Sequence, residues 1–202
     1  MFRWVALAVF LASLGISTQR RWRARRAGGA VPRSQEPPGL IVGRILVALP
    51  LFGGVVAYVA SPHWMAWATL GVPSWVRWIG VALGILVVPS LFWVLSTLGV
   101  NVGETVFTRQ QHQLVTTGPY RWVRHPLYTG GIALFASIGL MAANWFILLW
   151  AVVASIAVRL VVIPREEAQL VATFGDAYRR YRSGTGSLLP LLPNLRVRRR
   201  AG

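Results

Sequence analysis

The sequence contains no cysteine and no lysine, and five acidic residues stand against 21 basic residues, all of them arginine. Without cysteine, the chain has no disulfide, no thiolate nucleophile and no cysteine-based metal site. A Ser-His-Asp order, an HExxH helix and a phosphate-binding loop are also missing, which removes the common signatures of hydrolases, zinc proteases and nucleotide triphosphatases. We predict no metal site.

Charged residues are scarce as well. They make up 13% of the chain, against 55% for hydrophobic residues, whereas soluble domains have about a quarter charged. The formal net charge of +16 could indicate nucleic-acid binding. The arginines, however, lie beside long apolar blocks, as on the cytoplasmic flanks of membrane helices. The chain is therefore predicted to contact membrane lipids and no nucleic acid.

Five apolar blocks predict the fold class: an all-α integral membrane protein with five transmembrane helices. The blocks run over about 2–18, 40–60, 74–100, 126–142 and 145–163, each near the ~20 residues that cross a bilayer. The first block could be a signal peptide, but its arginine cluster follows the apolar core, which favours a retained helix. Only a few residues (AAN, of which the first ends the fourth block) separate the last two blocks, which predicts a tight antiparallel hairpin.

Arginine placement predicts the orientation. The segments 19–39, 99–125 and the tail from 164 hold six, three and eight arginines, whereas 61–73 and 143–144 hold none. Because arginine is enriched in cytoplasmic loops, the N-terminus is predicted outside, and the C-terminus and active site in the cytoplasm. One domain is expected over 1–202, with a three-helix scaffold at 1–100, a functional region at 101–190 that holds most of the remaining polar residues, and a basic tail at 191–202.

The tail contains an apolar stripe at helical spacing, formed by Leu170, Phe174, Tyr178 and Tyr181. This pattern predicts a cytoplasmic amphipathic helix that lies on the membrane surface. An ordinary helix packed on the other cytoplasmic segments explains the pattern equally well.

Polar residues that could carry chemistry cluster in two places: the segment 112–128, HQLVTTGPYRWVRHPLY, and the segment 165–167, REE. A hairpin of the last two blocks would bring both to the cytoplasmic face. Pro126 suits the first turn of a helix, whose free N–H groups near Leu127 and Tyr128 could receive an anion. His125, two tyrosines and the glutamates add donors, acceptors and aromatic faces. S-adenosylmethionine, with its carboxylate, ammonium, ribose and flat base, fits this set.

The segment HQLVTTGPYRWVRHPLYTGG, followed 38 residues after Tyr128 by Glu166-Glu167 and then by FGDAYRRYR, resembles the isoprenylcysteine carboxyl methyltransferase family. That family belongs to a wider group of membrane methyltransferases that includes phospholipid N-methyltransferases. The resemblance covers roughly 100–190. It implies cofactor contacts from His112, Gln113, Leu114, Val115, Tyr120, His125, Pro126, Leu127, Tyr128 and Glu166.

The prenylcysteine enzymes of this family also use an arginine a few residues before the glutamate for the substrate carboxylate. Here that position holds Val162, and the nearest arginines are Arg159 and Arg165. The catalytic residues implied are therefore His125, Arg159, Arg165 and Glu167.

The resemblance implies an S-adenosylmethionine-dependent methyltransferase with a lipophilic small-molecule or lipidated acceptor, preferably a carboxylate. Two alternatives remain open at this point. One is methylation of an amine or thiol, such as a phospholipid headgroup. The other is a non-enzymatic membrane protein that binds or transports a ligand.

Overall fold

The computed structural model describes residues 1–28, 38–99 and 114–191. Over these ranges the backbone is helical, with two isolated β-bridges and no strand, so the predicted all-α class is confirmed. The helices are α1 (Phe2–Gly28), α2 (Pro38–Ala60), α3 (Ser74–Leu98), α4 (Pro126–Ala142), α5 (Trp145–Ala157) and α6 (Ile163–Gly184). Two 3₁₀ turns, Pro62–Ala68 and Gly118–Arg121, and a π-helical turn, Val158–Val162, complete the order.

Four helical stretches are long and apolar enough to cross a membrane: Phe2–Arg26, Pro38–Ala60, Ser74–Leu98 and Trp145–Gly184. The helix α4 is apolar but has only 17 residues, so the count of five spans stays a prediction. Large apolar side chains such as Leu46, Leu49 and Leu160 are more than 60% exposed. An apolar outer surface of this kind is typical of helices that face lipid.

The helix α1 is longer than predicted. Its apolar block was expected to end near residue 18, but the helix continues through the arginine cluster to Gly28. Arginine is among the better helix formers. The change from apolar to charged residues therefore marks where the helix leaves the lipid for water, and the helix itself continues.

The hairpin of α4 and α5 has the predicted boundaries. Ala143 adopts a left-handed conformation (φ 49°), and the Asn144 side chain caps α5 by accepting a hydrogen bond from the Ile147 N–H at 3.1 Å. The same side chain donates to the Met65 carbonyl at 3.2 Å. The turn is therefore fixed both to its own helix and to the segment after α2.

The helices α3 and α4 approach each other closely at Gly80. A Cβ atom there would lie 2.7 Å from the Met141 backbone nitrogen and 2.8 Å from the Ser137 carbonyl oxygen. The Arg77 side chain donates to the Met141 carbonyl at 2.8 Å. Glycine at this position allows the close packing that helix pairs use in membranes, and it places the end of α4 against the start of α3.

The helices α5 and α6 form one continuous stretch, contrary to the predicted break. Pro164 has no N–H and would crowd the carbonyl of Leu160 in an α-helix. The backbone widens instead, and the Ile163 N–H donates to Val158, five residues back. Gly175, with φ 53° and ψ −129°, then bends α6. This turns the second half of the helix back towards the rest of the protein.

Candidate active site

The segment that precedes α4 is held by the chain that follows α6. The Arg124 and His125 N–H groups donate to the carbonyls of Gly186 and Ser187 at 2.8 and 3.0 Å. One turn into α4, the Thr129 hydroxyl donates to the Leu188 carbonyl at 2.7 Å. Two segments about 60 residues apart are therefore paired along their backbones, and the start of α4 is fixed from both sides.

A buried ionic cluster surrounds Glu167. Its Oε1 accepts hydrogen bonds from Arg124 Nε at 2.9 Å and from His125 Nε2 at 3.2 Å. Its Oε2 forms an ion pair with Arg182 Nε at 3.1 Å. The Arg124 guanidinium also donates to the carbonyls of Arg182 and Thr185. Each oxygen of a carboxylate can accept two or more hydrogen bonds, so these partners use most of the capacity of Glu167.

His125 lies between the two glutamates. Its Nε2 faces Glu167, and its Nδ1 is 3.6 Å from Glu166 Oε2. That Oε2 atom is buried and has no hydrogen-bond partner among the described residues. A buried carboxylate oxygen without a donor is uncommon and calls for a ligand or another explanation. Glu166, unlike Glu167, therefore keeps capacity to bind.

Three tyrosines join His125 and the two glutamates in one polar surface, which we call the polar wall. The Tyr128 phenol lies beside the Glu166 carboxylate, and its ring centroid is 5.9 Å from that of His125. The Tyr181 hydroxyl donates to the Tyr120 carbonyl at 2.6 Å. Burial, and then the charge of Glu166, raise the pKa of the Tyr120 phenol above its ordinary value, so that this hydroxyl stays protonated at neutral pH.

All six helices border a cavity of about 1260 Å³, with this wall on one side. Eight of the residues predicted from the sequence line it: Leu114, Val115, Tyr120, His125, Leu127, Tyr128, Arg165 and Glu166. The α6 stripe predicted to lie on the membrane also lines it, through Leu170, Phe174, Tyr178 and Tyr181. The apolar face of α6 is therefore turned towards the cavity, which favours the packed-helix interpretation.

The other predicted residues lie elsewhere. Glu167 is behind the lining, where it holds Arg124 and His125. Pro126 is buried at the first position of α4. Arg159 is exposed and is not among the lining residues, because the π-helical turn carries it on the outer face. The predicted contacts His112 and Gln113 lie outside the described residues.

The structure corrects one of the two backbone N–H groups that were predicted to be free for an anion. The Tyr128 N–H already donates to the His125 carbonyl at 3.1 Å. Pro126 has no N–H, so the Leu127 amide is the donor that the first turn of α4 can offer to an anion.

Sequence reasoning did not single out Arg124 and Arg182. A usable signal was present, because Arg124 precedes His125 in a segment expected to meet a glutamate pair, and buried carboxylates are usually paired. Within the described residues, no group of three or more His, Asp or Glu side chains could hold a metal ion.

A family model described as phospholipid methyltransferase matches residues 75–177, just over half of the chain. The chain belongs to the phospholipid methyltransferase family. The match contains α4, α5 and the glutamate pair, and it starts at the beginning of α3. The predicted resemblance to a group of membrane methyltransferases is thereby confirmed.

Two curated relatives of this family member carry methyltransferase names. The protein-S-isoprenylcysteine O-methyltransferase of Schizosaccharomyces pombe is 37% identical over 91 residues, which are 42% of this chain and 36% of the relative. The methanethiol S-methyltransferase of Mycobacterium tuberculosis is 34% identical over 118 residues, 50% of this chain and 47% of the relative. The chain thus spans less than half the length of either relative.

A solved structure of the eukaryotic intramembrane Ras methyltransferase, isoprenylcysteine carboxyl methyltransferase, has the same fold. The TM-score is 0.50 at 21% identity, and the similarity covers 81% of this chain and 55% of that one. Together with the long apolar helices, this fold identifies the family member as an integral membrane protein.

Proposed function

We propose that this protein transfers the methyl group of S-adenosylmethionine to a lipophilic acceptor. The observation that carries the proposal is the Glu166 carboxylate, whose buried Oε2 atom has no hydrogen-bond partner among the described residues and which lines the cavity beside His125 and Tyr128. An acceptor-only group of this kind suits the hydroxyls of a ribose or an ammonium. The nearby Leu127 amide suits a carboxylate.

The size of the cavity supports a reaction of two ligands. Ligand sites commonly measure about 300–1,000 Å³, and this cavity exceeds that range at about 1260 Å³. It has room for a methyl donor at the polar wall and for an acceptor along the apolar walls. Holding both in one cavity would provide the proximity and orientation on which a methyl transfer depends.

The methyl donor would bring an activated sulfonium methyl group, which an acceptor atom displaces in line. The protein binds and orients both molecules. Glu167 positions His125 through the 3.2 Å contact at Nε2, which leaves Nδ1 directed towards Glu166. A carboxylate acceptor needs no base. An amine or thiol acceptor must lose a proton, for which His125 or Glu166 is the available base.

Arg165 is the better candidate of the two arginines predicted to meet the substrate. Both arginines are exposed, but Arg165 lines the cavity next to Glu166 and Arg159 does not. We therefore propose Arg165, together with His125, as the residues nearest the reacting groups. Glu167 acts as a positioning residue.

The first test measures equilibrium binding of S-adenosylmethionine to the detergent-purified protein. We expect His125→Ala and Glu166→Ala each to weaken binding by at least about tenfold, because each removes a charge-assisted hydrogen bond. Asp176→Asn is the matched control, since this acid of α6 is 75% exposed in its side chain. Unchanged affinity in both folded site variants would refute the assignment, and no binding by the parent protein would favour the non-enzymatic alternative.

A thiol or amine acceptor remains the second candidate function, favoured by the similarity to methanethiol S-methyltransferases. Incubating the protein with labelled donor and either an isoprenylated cysteine, a phosphatidylethanolamine or a long-chain thiol separates the candidates. The product that gains one methyl group identifies the acceptor atom.

A further inference from the structure

A second polar surface, on α1, lines the same cavity. Ser13, Ser17 and Arg21 follow one another at four-residue spacing on α1, and all three line the cavity. Residues at this spacing share one face of a helix. Arg21 Nε donates to the Ser17 hydroxyl at 3.2 Å. Ser13 is only 4% exposed, yet its hydroxyl has no hydrogen-bond partner among the described residues.

Arg44 of α2 extends this surface. Arg44 and Arg21 both line the cavity and act electrostatically on the Tyr128 phenol, so both lie within reach of the polar wall. The helices α1 and α2 contain no acidic residue. Among the described lining residues, four are arginines, of which Arg124 is paired with Glu167 behind the lining, and one, Glu166, is an acid. The cavity therefore carries an excess of positive charge.

The other end of the same surface is apolar. The rings of Phe10, Phe52 and Phe135 form an edge-to-face chain, with centroid distances of 5.9 and 5.0 Å. Phe10 and Arg21 are eleven residues apart on α1, or roughly 16 Å at the rise of an α-helix. The cavity thus has a cationic end and an aromatic end, separated by about the length of an extended acyl or prenyl segment.

Both helices that form this surface precede residue 75, where the family match begins. The cationic end of the surface therefore lies outside the matched range, whereas Phe135 of the aromatic end lies within it. Ionisable groups within membrane helices are costly and are usually functional. Arginine suits carboxylate and phosphate groups because its planar guanidinium donates two parallel hydrogen bonds.

We infer that Arg21 and Arg44, with Ser13 and Ser17, bind the anionic group of a lipophilic acceptor, whose chain extends to Phe10, Phe52 and Phe135. The anionic group is a carboxylate or a phosphate. This inference rests on the proposed function for the identity of the ligand as a methyl acceptor. It adds the residues that select that acceptor by charge.

The test compares binding of dodecanoate, dodecyl phosphate and uncharged dodecanol to the full chain in non-ionic detergent. We expect at least one anion to bind about tenfold or more tightly than the alcohol, and this preference to disappear in the double variant Arg21→Gln/Arg44→Gln. Arg23→Gln, on an exposed position of α1 outside the lining, should keep it. Tighter binding of dodecanoate indicates a carboxylate acceptor, and tighter binding of dodecyl phosphate indicates a phospholipid.

Three results would overturn the inference: no preference in the parent, the same preference in the double variant, or a parallel loss of S-adenosylmethionine affinity, which would assign the arginines to the donor. If the double variant fails to fold, Arg44→Lys provides a second test. This variant keeps the charge and should keep most of the preference for the anion. A folded Arg44→Lys protein that has lost the preference completely would also overturn the inference. A parent protein that prefers anions but binds no S-adenosylmethionine would contradict the proposed function alone.

Discussion

At the scale of single residues, the two adjacent glutamates have different tasks because their surroundings differ. Glu167 is surrounded by Arg124, His125 and Arg182, whereas Glu166 faces the cavity with an Oε2 atom that has no hydrogen-bond partner in the part of the chain that the structure describes. The sequence predicted that both would meet His125. It did not predict which would be buried in an ion-pair cluster, because that depends on Arg124, 43 residues away in the chain.

Replacing Arg124 by alanine should destabilise the protein strongly. The side chains of Arg124 and Glu167 are only 9% and 7% exposed, and removing one partner of a buried pair costs about 3–5 kcal/mol, which is the upper bound here because His125 and Arg182 still contact Glu167. A large drop in the midpoint of thermal unfolding in detergent is expected.

Arg179→Ala is the matched comparison for that substitution. Arg179 pairs with Asp176 at 2.7 Å, but the two side chains are 64% and 75% exposed. Pairs exposed to this degree contribute little, so the midpoint should not move. Equal midpoints for the Arg124 and Arg179 variants would contradict the role given to the buried cluster.

At the scale of secondary-structure elements, the sequence predicted α4 well and the end of α5 badly. Pro126 at the first helical position and the AAN turn mark both ends of α4 by local chemistry. A proline such as Pro164 normally ends or kinks a helix. Here a π-helical turn before it accommodates the residue that lacks an N–H, and α6 continues from α5. The outcome depends on the packing of both helices around the cavity, which no local pattern contains.

The bend at Gly175 gives a prediction for α6. A Cβ at this position would meet nothing within 4 Å, so Gly175→Ala has space, but its positive φ of 53° with ψ −129° is strained for any residue with a side chain. A loss of about 1–3 kcal/mol of stability is expected, measured by thermal unfolding. Gly184→Ala, in the same helix with open space and no positive φ, should be neutral, and a neutral Gly175→Ala would show that the bend is not required.

At the scale of the whole molecule, the predicted orientation can be tested directly. The arginine alternation predicts five spans with the C-terminus in the cytoplasm. A reporter fused after residue 202 should be active only on the cytoplasmic side, and one inserted in the 61–73 segment only on the opposite side. Activity of both reporters on the same side would mean that α4, with its 17 residues, does not cross the membrane.

The overall arrangement was predictable in kind, and the cavity was not. Apolar blocks and arginine placement indicated helices that pack in a membrane. The α1 surface with Ser13, Ser17 and Arg21 was hidden in the sequence, because serines in an apolar helix and arginines at its end have an ordinary explanation as membrane flank. Only the packing of α1 and α2 against α4 shows that they share a cavity with His125.

The helix runs without a break from Trp145 to Phe174, and its length can be compared with the thickness of the bilayer. At 1.5 Å per residue, its 30 residues measure roughly 45 Å, against about 30 Å for the hydrocarbon core. Glu166 lies roughly 32 Å along this length by the same rise. With Trp145 anchored at one surface, the depth of the reactive groups below the other is set by membrane thickness and helix tilt. A thicker membrane would draw these groups into the hydrocarbon, and a thinner one would lift them into water.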